Sequence, residues 1–138
     1  KTQRPILKKI SFMKAEINLV EEAKNIIEFA VSEYEYQPAV NWNQEAQFMP
    51  GDANIAQNLY LEFCLIKAWF RETFKINATE HFNGYQWEAL VEAIDNEVIA
   101  YEKTNLYDEP LAALVEASRM ALNYLEDKKI ENLIQTEI

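Results

Sequence analysis

The stretch that decides the fold is residues 85–102, YQWEALVEAIDNEVIAYE. On a helical wheel its apolar residues fall within one sector of about 100°: Trp87, Leu90, Val91, Ile94, Val98 and Tyr101. Four carboxylates occupy a second sector of about 80° beside the first: Glu88, Glu92, Asp95 and Glu102. The spacing predicts a helix with a column of carboxylates along one side and Ile99 inside that column.

This predicted acidic column has no cation beside it, because the sequence from Ile76 to Glu102 contains no lysine or arginine. Like charges at a spacing of three or four residues each cost a helix about 0.2–0.5 kcal/mol. Two interpretations stay open. The column is either a solvated face, screened by salt or by cations of another helix, or a surface that binds a basic protein.

Three further segments show apolar residues at helical spacing, which predicts three more helices. The first begins after Pro5 and ends before Pro38, where proline disfavours helical geometry. The second begins after Asp52, a good N-cap residue, and ends near Asn77. The last begins at Pro110, because proline suits the first turn of a helix.

Four amphipathic helices pack most simply as an antiparallel bundle. The sequence therefore predicts an all-α, single-domain bundle of residues 1–138, in which residues 127–138 continue the last helix or form a short fifth one. The connection over residues 37–52 is long for a bundle. It carries Trp42 and Phe48, which either cover one end of the bundle or form part of a binding surface.

Composition narrows the possible functions. The chain has 138 residues, 49% of them hydrophobic, and a formal net charge of −10, which indicates one globular domain. This charge disfavours binding to nucleic acid and to anionic membranes, and favours a basic partner. A single cysteine, Cys64, and the lack of any long apolar run lead us to expect a cytoplasmic protein.

Residues for common catalytic chemistry are scarce. One cysteine and one histidine, His81, cannot build a structural zinc site. The sequence has no Walker A loop and no glycine-rich dinucleotide turn. We therefore expect no catalytic residue, no metal and no cofactor.

One acidic pattern carries a resemblance. The sequence Glu92-Ala-Ile-Asp95, with Glu88 one turn earlier, could hold Mg²⁺ through carboxylate oxygens if it were helical. It resembles one half of the site in all-α nucleoside-triphosphate pyrophosphohydrolases of the MazG and dUTPase type, and that resemblance implies a Mg²⁺-dependent enzyme. Those enzymes also carry a Glu-x-x-Glu pair on the preceding helix, where this chain offers only Glu62 and Glu72.

Taken together, the sequence predicts a non-enzymatic acidic protein that binds a basic partner, for example an immunity protein that neutralises a nuclease toxin. The predicted contact residues are Glu88, Glu92, Asp95, Ile99, Glu102 and Trp42. Two alternatives are a DNA mimic of phage origin that blocks a nucleic-acid-binding protein, and the Mg²⁺-dependent pyrophosphohydrolase. A homodimer formed through the first helix is a further possibility.

Overall fold

The computed structural model describes residues 15–39, 53–93 and 106–137. Within these ranges the chain forms three α-helices and two strands: α1 (Ala15–Tyr34), α2 (Ala53–Trp69), β1 (Ile76–Phe82), β2 (Trp87–Ala93) and α3 (Pro110–Glu137). None of the helices in these ranges is both long and apolar enough to cross a membrane.

The predicted all-α bundle is wrong, because a β-hairpin stands where the third helix was predicted to begin. Strands β1 and β2 pair in antiparallel fashion, with Ile76 opposite Ala93 and Phe82 opposite Trp87. The described fold is therefore a mixed one, in which a two-stranded sheet packs with three α-helices.

The turn of the hairpin explains why these residues form strands. The Asn83 side-chain oxygen accepts hydrogen bonds from the backbone N–H groups of Tyr85 and Gln86, both at 2.9 Å. Gly84 has φ +106°, in the left-handed region that glycine adopts without steric cost. An Asn-Gly pair between two segments of alternating apolar residues is a strong hairpin signal, and it outweighs the helix-forming residues of β2.

Helix α2 forms where the sequence predicts it, directly after Asp52. The apolar residues that repeat at helical spacing in this segment are buried or half-buried: Ile55, Leu59, Phe63, Ile66, Phe70 and Phe74. The helix continues into a π-helical turn, Phe70–Phe74, and ends at Lys75, whose φ of 59° is left-handed. The predicted end at Asn77 is therefore late by about one turn, and Asn77 belongs to β1.

Helix α3 lies at the centre of the described structure. It begins at Pro110, as predicted, and residues 127–137 continue it, so there is no break before a fifth helix in this segment. All eight residues from Leu111 to Ser118 are buried, because α3 contacts α1, α2 and both strands. Alanines at four positions of α3 allow this close packing: Ala112, Ala113, Ala117 and Ala121.

Helix α1 is confirmed over Ala15–Tyr34, whereas its predicted start near Pro5 lies outside the described residues. The helix ends at Glu35, which adopts a left-handed φ of 61°. Two aromatic contacts fix this end of the helix to α2 and its π-helical turn. The ring of Tyr34 meets that of Phe74 at 5.6 Å, and the ring of Tyr36 meets that of Trp69 at 5.0 Å.

Candidate partner-binding surface

The structure describes two of the six residues predicted to contact a partner. These are Glu88 and Glu92, both in β2. The other four predicted contacts lie outside the described residues: Trp42, Asp95, Ile99 and Glu102.

The prediction of a helical acidic column is wrong at Glu88 and Glu92, because both belong to a strand. Side chains four residues apart share one face of a strand as they do in a helix, so these two carboxylates still point to the same side. Their Cα atoms are, however, separated by about 13 Å at the rise of a strand, more than twice the distance in a helix.

Glu88 is not available to a partner in the way the sequence predicts. Its side chain is only 10% exposed, and its carboxylate lies 3.0 Å from Nδ1 of His81, which is directly opposite on β1. In the tautomer with its proton on Nδ1, the imidazole donates a hydrogen bond to this carboxylate. Glu92 is exposed and accepts a hydrogen bond of 3.2 Å from the Asn77 side chain.

The geometry at Glu92 differs from that of the predicted Mg²⁺ half-site, whose other residue, Asp95, lies outside the described residues. That half-site needs Glu92 and Asp95 one turn apart on a helix, whereas Glu92 lies on β2. Glu62, the candidate ligand on α2, is buried and accepts hydrogen bonds from Tyr36 and from the Ala39 backbone. In the part of the chain that the structure describes, no three histidine, cysteine or acidic side chains form a group that could hold a metal ion.

Three carboxylates in or near the core accept hydrogen bonds from tyrosine hydroxyls that lie far away in the sequence. The donor and acceptor oxygens are 2.5–2.6 Å apart in each case. The pairs are Tyr36 with Glu62, Tyr34 with Glu126 and Tyr60 with Glu80. The first hydrogen bond connects the segment after α1 to α2, the second connects α1 to α3, and the third connects α2 to β1, so the three acids hold the described elements together.

The pKa values of these three tyrosines are raised. For Tyr34 and Tyr36 the main cause is burial, and the hydrogen bond to the glutamate adds to it. For Tyr60 the hydrogen bond to Glu80 comes first and burial second. In each case ionising the phenol would place a second negative charge beside a carboxylate.

Glu80 illustrates how a half-buried acid is kept ionised. Burial alone would raise its pKa, but hydrogen bonds from Tyr60, the backbone, Lys67 and Thr79 outweigh burial and lower it. Lys67 Nζ lies 3.1 Å from one carboxylate oxygen and forms an ion pair with it. Glu80 therefore already has donors within the protein.

A fourth buried acid, Glu116, is fully inaccessible near the start of α3. It accepts two hydrogen bonds from the guanidinium of Arg119, one of them from Nε at 3.1 Å. This pairing raises the pKa of Arg119 against the opposing effect of burial. Nearby, burial and then the charge of Glu116 raise the pKa of Tyr107 to about 12.

The described surface, in contrast to the core, carries many carboxylates and few cations. Among the described side chains ten carboxylates are exposed: Glu21, Glu28, Glu33, Glu35, Glu72, Glu92, Asp108, Glu109, Asp127 and Glu131. Only three described cations are exposed: Arg71, Lys75 and Lys129. The negative net charge is therefore displayed on the described surface, although not as one continuous column.

The end of the hairpin combines exposed apolar residues with carboxylates. Phe82 is 50% exposed and Tyr85 91% exposed. Residues of the segment before α3 lie at the same end of the hairpin. We call this group the hairpin-tip surface; it consists of Phe82, Tyr85, Leu106, Asp108 and Glu109.

Hydrogen bonds and one aromatic contact hold the hairpin-tip surface in place. Trp87 and Tyr107 exchange two backbone hydrogen bonds of 2.8 Å, and the Gln86 side chain donates to the Asp108 carboxylate at 3.0 Å. The ring of Phe82 packs on that of Trp87 with centroids 5.1 Å apart. The exposed aromatic side chains are thus presented by a rigid scaffold, as is common for the anchors of protein interfaces.

Sequence reasoning missed this surface, although one signal was present. The helix predicted over residues 85–102 begins directly after Asn83-Gly84, whereas this pair followed by Trp87, Ala89 and Val91 predicts a hairpin. Reading the pair as a turn would have placed Tyr85 at an exposed tip.

Comparison with protein-family models, with curated proteins and with solved structures gave no match to this chain. What the protein does must therefore be inferred from its own residues.

Proposed function

We propose that this chain is a non-enzymatic acidic protein that binds a basic protein and neutralises it, as an immunity protein neutralises a nuclease toxin. The observation that carries the proposal is the hairpin-tip surface, where exposed Phe82 and Tyr85 lie at the turn of the hairpin, beside the segment that carries Asp108 and Glu109. The proposal includes a cytoplasmic location, in which Cys64 would stay reduced.

Charge and aromatic residues have separate roles in this proposal. The net charge of −10 attracts a cationic partner over long range and raises the association rate. Tyr85 and Phe82 then enter a pocket of the partner, because buried aromatic side chains supply most of the affinity at protein interfaces. Asp108 and Glu109 contact lysine or arginine side chains at the rim of that pocket.

The buried carboxylates support this division of roles. Glu62 accepts a hydrogen bond from Tyr36, and Glu116 accepts hydrogen bonds from Arg119. A partner could contact either carboxylate only if these internal hydrogen bonds were broken, which would destabilise the fold. The exposed acids face solvent instead, where their charge can reach a partner. Glu92 belongs to this exposed group and remains a predicted contact.

The test begins with the full chain immobilised and exposed to an extract of its source organism at low and at high salt. We expect to capture a basic protein whose binding weakens as salt screens the charges. Its nuclease or other toxic activity should be lost when an equimolar amount of the chain is added. A partner that stays fully active when saturated, or a captured protein without a basic surface, would contradict the proposal. Displacement of the chain by DNA would instead support the DNA-mimic alternative.

A pair of matched variants then locates the surface. Replacing Phe82 and Tyr85 by serine should weaken binding to the captured partner by about a hundredfold, the loss expected for two interface anchors. The control replaces Ile130 and Leu133 of α3, which are also exposed, by serine. Equal losses in both variants would show that the hairpin tip is not the contact.

A further inference from the structure

The exposed face of α2 differs from those of α1 and α3, because its described side chains carry no charge whereas both other helices expose carboxylates. Five side chains of α2 are exposed among those described: Gln57, Asn58, Leu61, Leu65 and Ala68. On a helical wheel they occupy one sector of about 100°, over about 16 Å of helix. We call them the α2 face.

The α2 face is also apolar at its centre. Leu61 and Leu65 lie one helical turn apart and are 59% and 51% exposed. Single exposed leucines are common on protein surfaces, but adjacent ones on a rigid helix form a small patch that a partner can cover.

The charged residues of α2 are turned away from this face. Glu62 is 2% exposed and accepts the hydroxyl hydrogen bond of Tyr36. Lys67 pairs with Glu80 of β1 at 3.1 Å. The helix therefore directs both of these charges toward other parts of the protein and presents only neutral side chains to solvent along its described outer face.

We propose that the α2 face joins two copies of this chain in a two-fold dimer. Two copies that each carry a net charge of −10 repel one another wherever their acids meet, so they approach most readily at an uncharged surface. A basic partner, in contrast, is attracted to the acids and gains nothing from this face. An isologous contact would place Leu61 of one copy against Leu65 of the other.

The size of the face sets the expected strength of the dimer. Stable interfaces bury about 800 Å² on each partner, and two leucines with three small neighbours provide much less. We therefore expect a weak, reversible dimer that forms only at high protein concentration. The dimer uses α2, not the first helix, and it is independent of the proposed function at the hairpin tip.

Sedimentation velocity of the full chain tests the dimer, from about 10 µM to about 1 mM and at low and high salt. We expect the sedimentation coefficient to rise from that of a monomer to that of a dimer, and to rise further at high salt because salt screens the repulsion between the copies. Binding to a basic partner shows the opposite salt dependence. A chain that is monomeric at the highest concentration in high salt would overturn the inference.

Matched variants assign the contact to the α2 face. Leu61→Glu, and separately Leu65→Glu, should keep the chain monomeric at every concentration, because each places two carboxylates in the contact. The control Leu133→Glu adds the same charge at a residue of α3 that is 64% exposed and should dimerise as the wild type does. Circular dichroism checks that each variant is folded. A dimer that persists in both α2 variants, or that Leu133→Glu abolishes equally, would place the contact elsewhere.

Discussion

Glu116 and Glu28 lie on helices of the same protein, yet their surroundings are opposite. Glu116 is fully buried in α3 and accepts two hydrogen bonds from Arg119, whereas Glu28 is exposed on the outer side of α1. The buried acid stabilises the fold, so its removal should lower the free energy of unfolding. The exposed acid contributes to the electrostatic field around the protein, which would attract the proposed basic partner. The carboxylates of this acidic chain therefore form two groups: buried ones that stabilise the fold, and exposed ones that determine the charge of the surface.

The largest expected effect comes from breaking the buried ion pair. Arg119→Met removes both hydrogen bonds that Arg119 donates and leaves Glu116 as a buried charge without that partner. We expect the free energy of unfolding to fall by about 3–5 kcal/mol, measured by denaturation in urea.

The double variant Glu116→Leu with Arg119→Met provides the contrast for this measurement. Replacing a whole buried ion pair by apolar residues is often neutral or stabilising, so the double variant should be clearly more stable than Arg119→Met alone. Equal losses in the two variants would mean that packing, not an uncompensated charge, determines the effect.

A smaller effect is expected from one of the tyrosine–glutamate hydrogen bonds. Tyr36→Phe removes the hydroxyl that lies 2.5 Å from the Glu62 carboxylate and should lower the free energy of unfolding by about 1–3 kcal/mol. The same chemical change at Tyr85, which is 91% exposed, should leave stability unchanged. If Tyr85→Phe lowered the free energy of unfolding as much as Tyr36→Phe, the loss could not be attributed to the buried hydrogen bond with Glu62.

The smallest expected effect at neutral pH comes from the ionisation of Tyr36. Its effect on the free energy of unfolding grows as the pH rises. The pKa of Tyr36 is raised above its ordinary value of 10.0 in the folded protein, so the folded state holds a proton that the unfolded chain releases. This contribution to stability is complete below pH 10 and is lost as the pH rises above it, by up to about 1.4 kcal/mol per pH unit. Thermal unfolding between pH 8 and about 11.5 measures this loss, and Tyr36→Phe should make it shallower.

Helix α2 and strand β2 show how far sequence reasoning reaches in this chain. Helix α2 was predictable because its apolar residues, from Ile55 to Phe74, repeat at helical spacing over five turns, and the folded core confirms them. The β2 sequence WEALVEA contains good helix formers, and Glu88 and Glu92 share one face in either conformation. Only the Asn83-Gly84 turn distinguished strand from helix.

The buried acids could not have been predicted at all. Tyr34 and Glu126 are 92 positions apart in the sequence, and no local pattern marks either residue as one of a pair. Glu88 was predicted to be exposed because the wheel placed it with other acids, whereas its true neighbour, His81, becomes adjacent only once the hairpin forms. Contacts of this kind depend on the tertiary structure.

The π-helical turn between α2 and β1 has a consequence for how this chain tolerates changes in length. A π-helical turn accommodates one residue more than an α-helical turn, so deleting one residue from Phe70–Phe74 would allow the helix to run on as a regular α-helix. Because the additional residue is contained within that one turn, the strand that follows would still leave the helix in about its present direction. Tyr60 and Glu80, which face each other across that junction at 2.6 Å, would still meet. The same deletion in the regular part of α2 would instead rotate everything that follows by about 100°, so the π-helical turn is the place in α2 that best tolerates the loss of a residue.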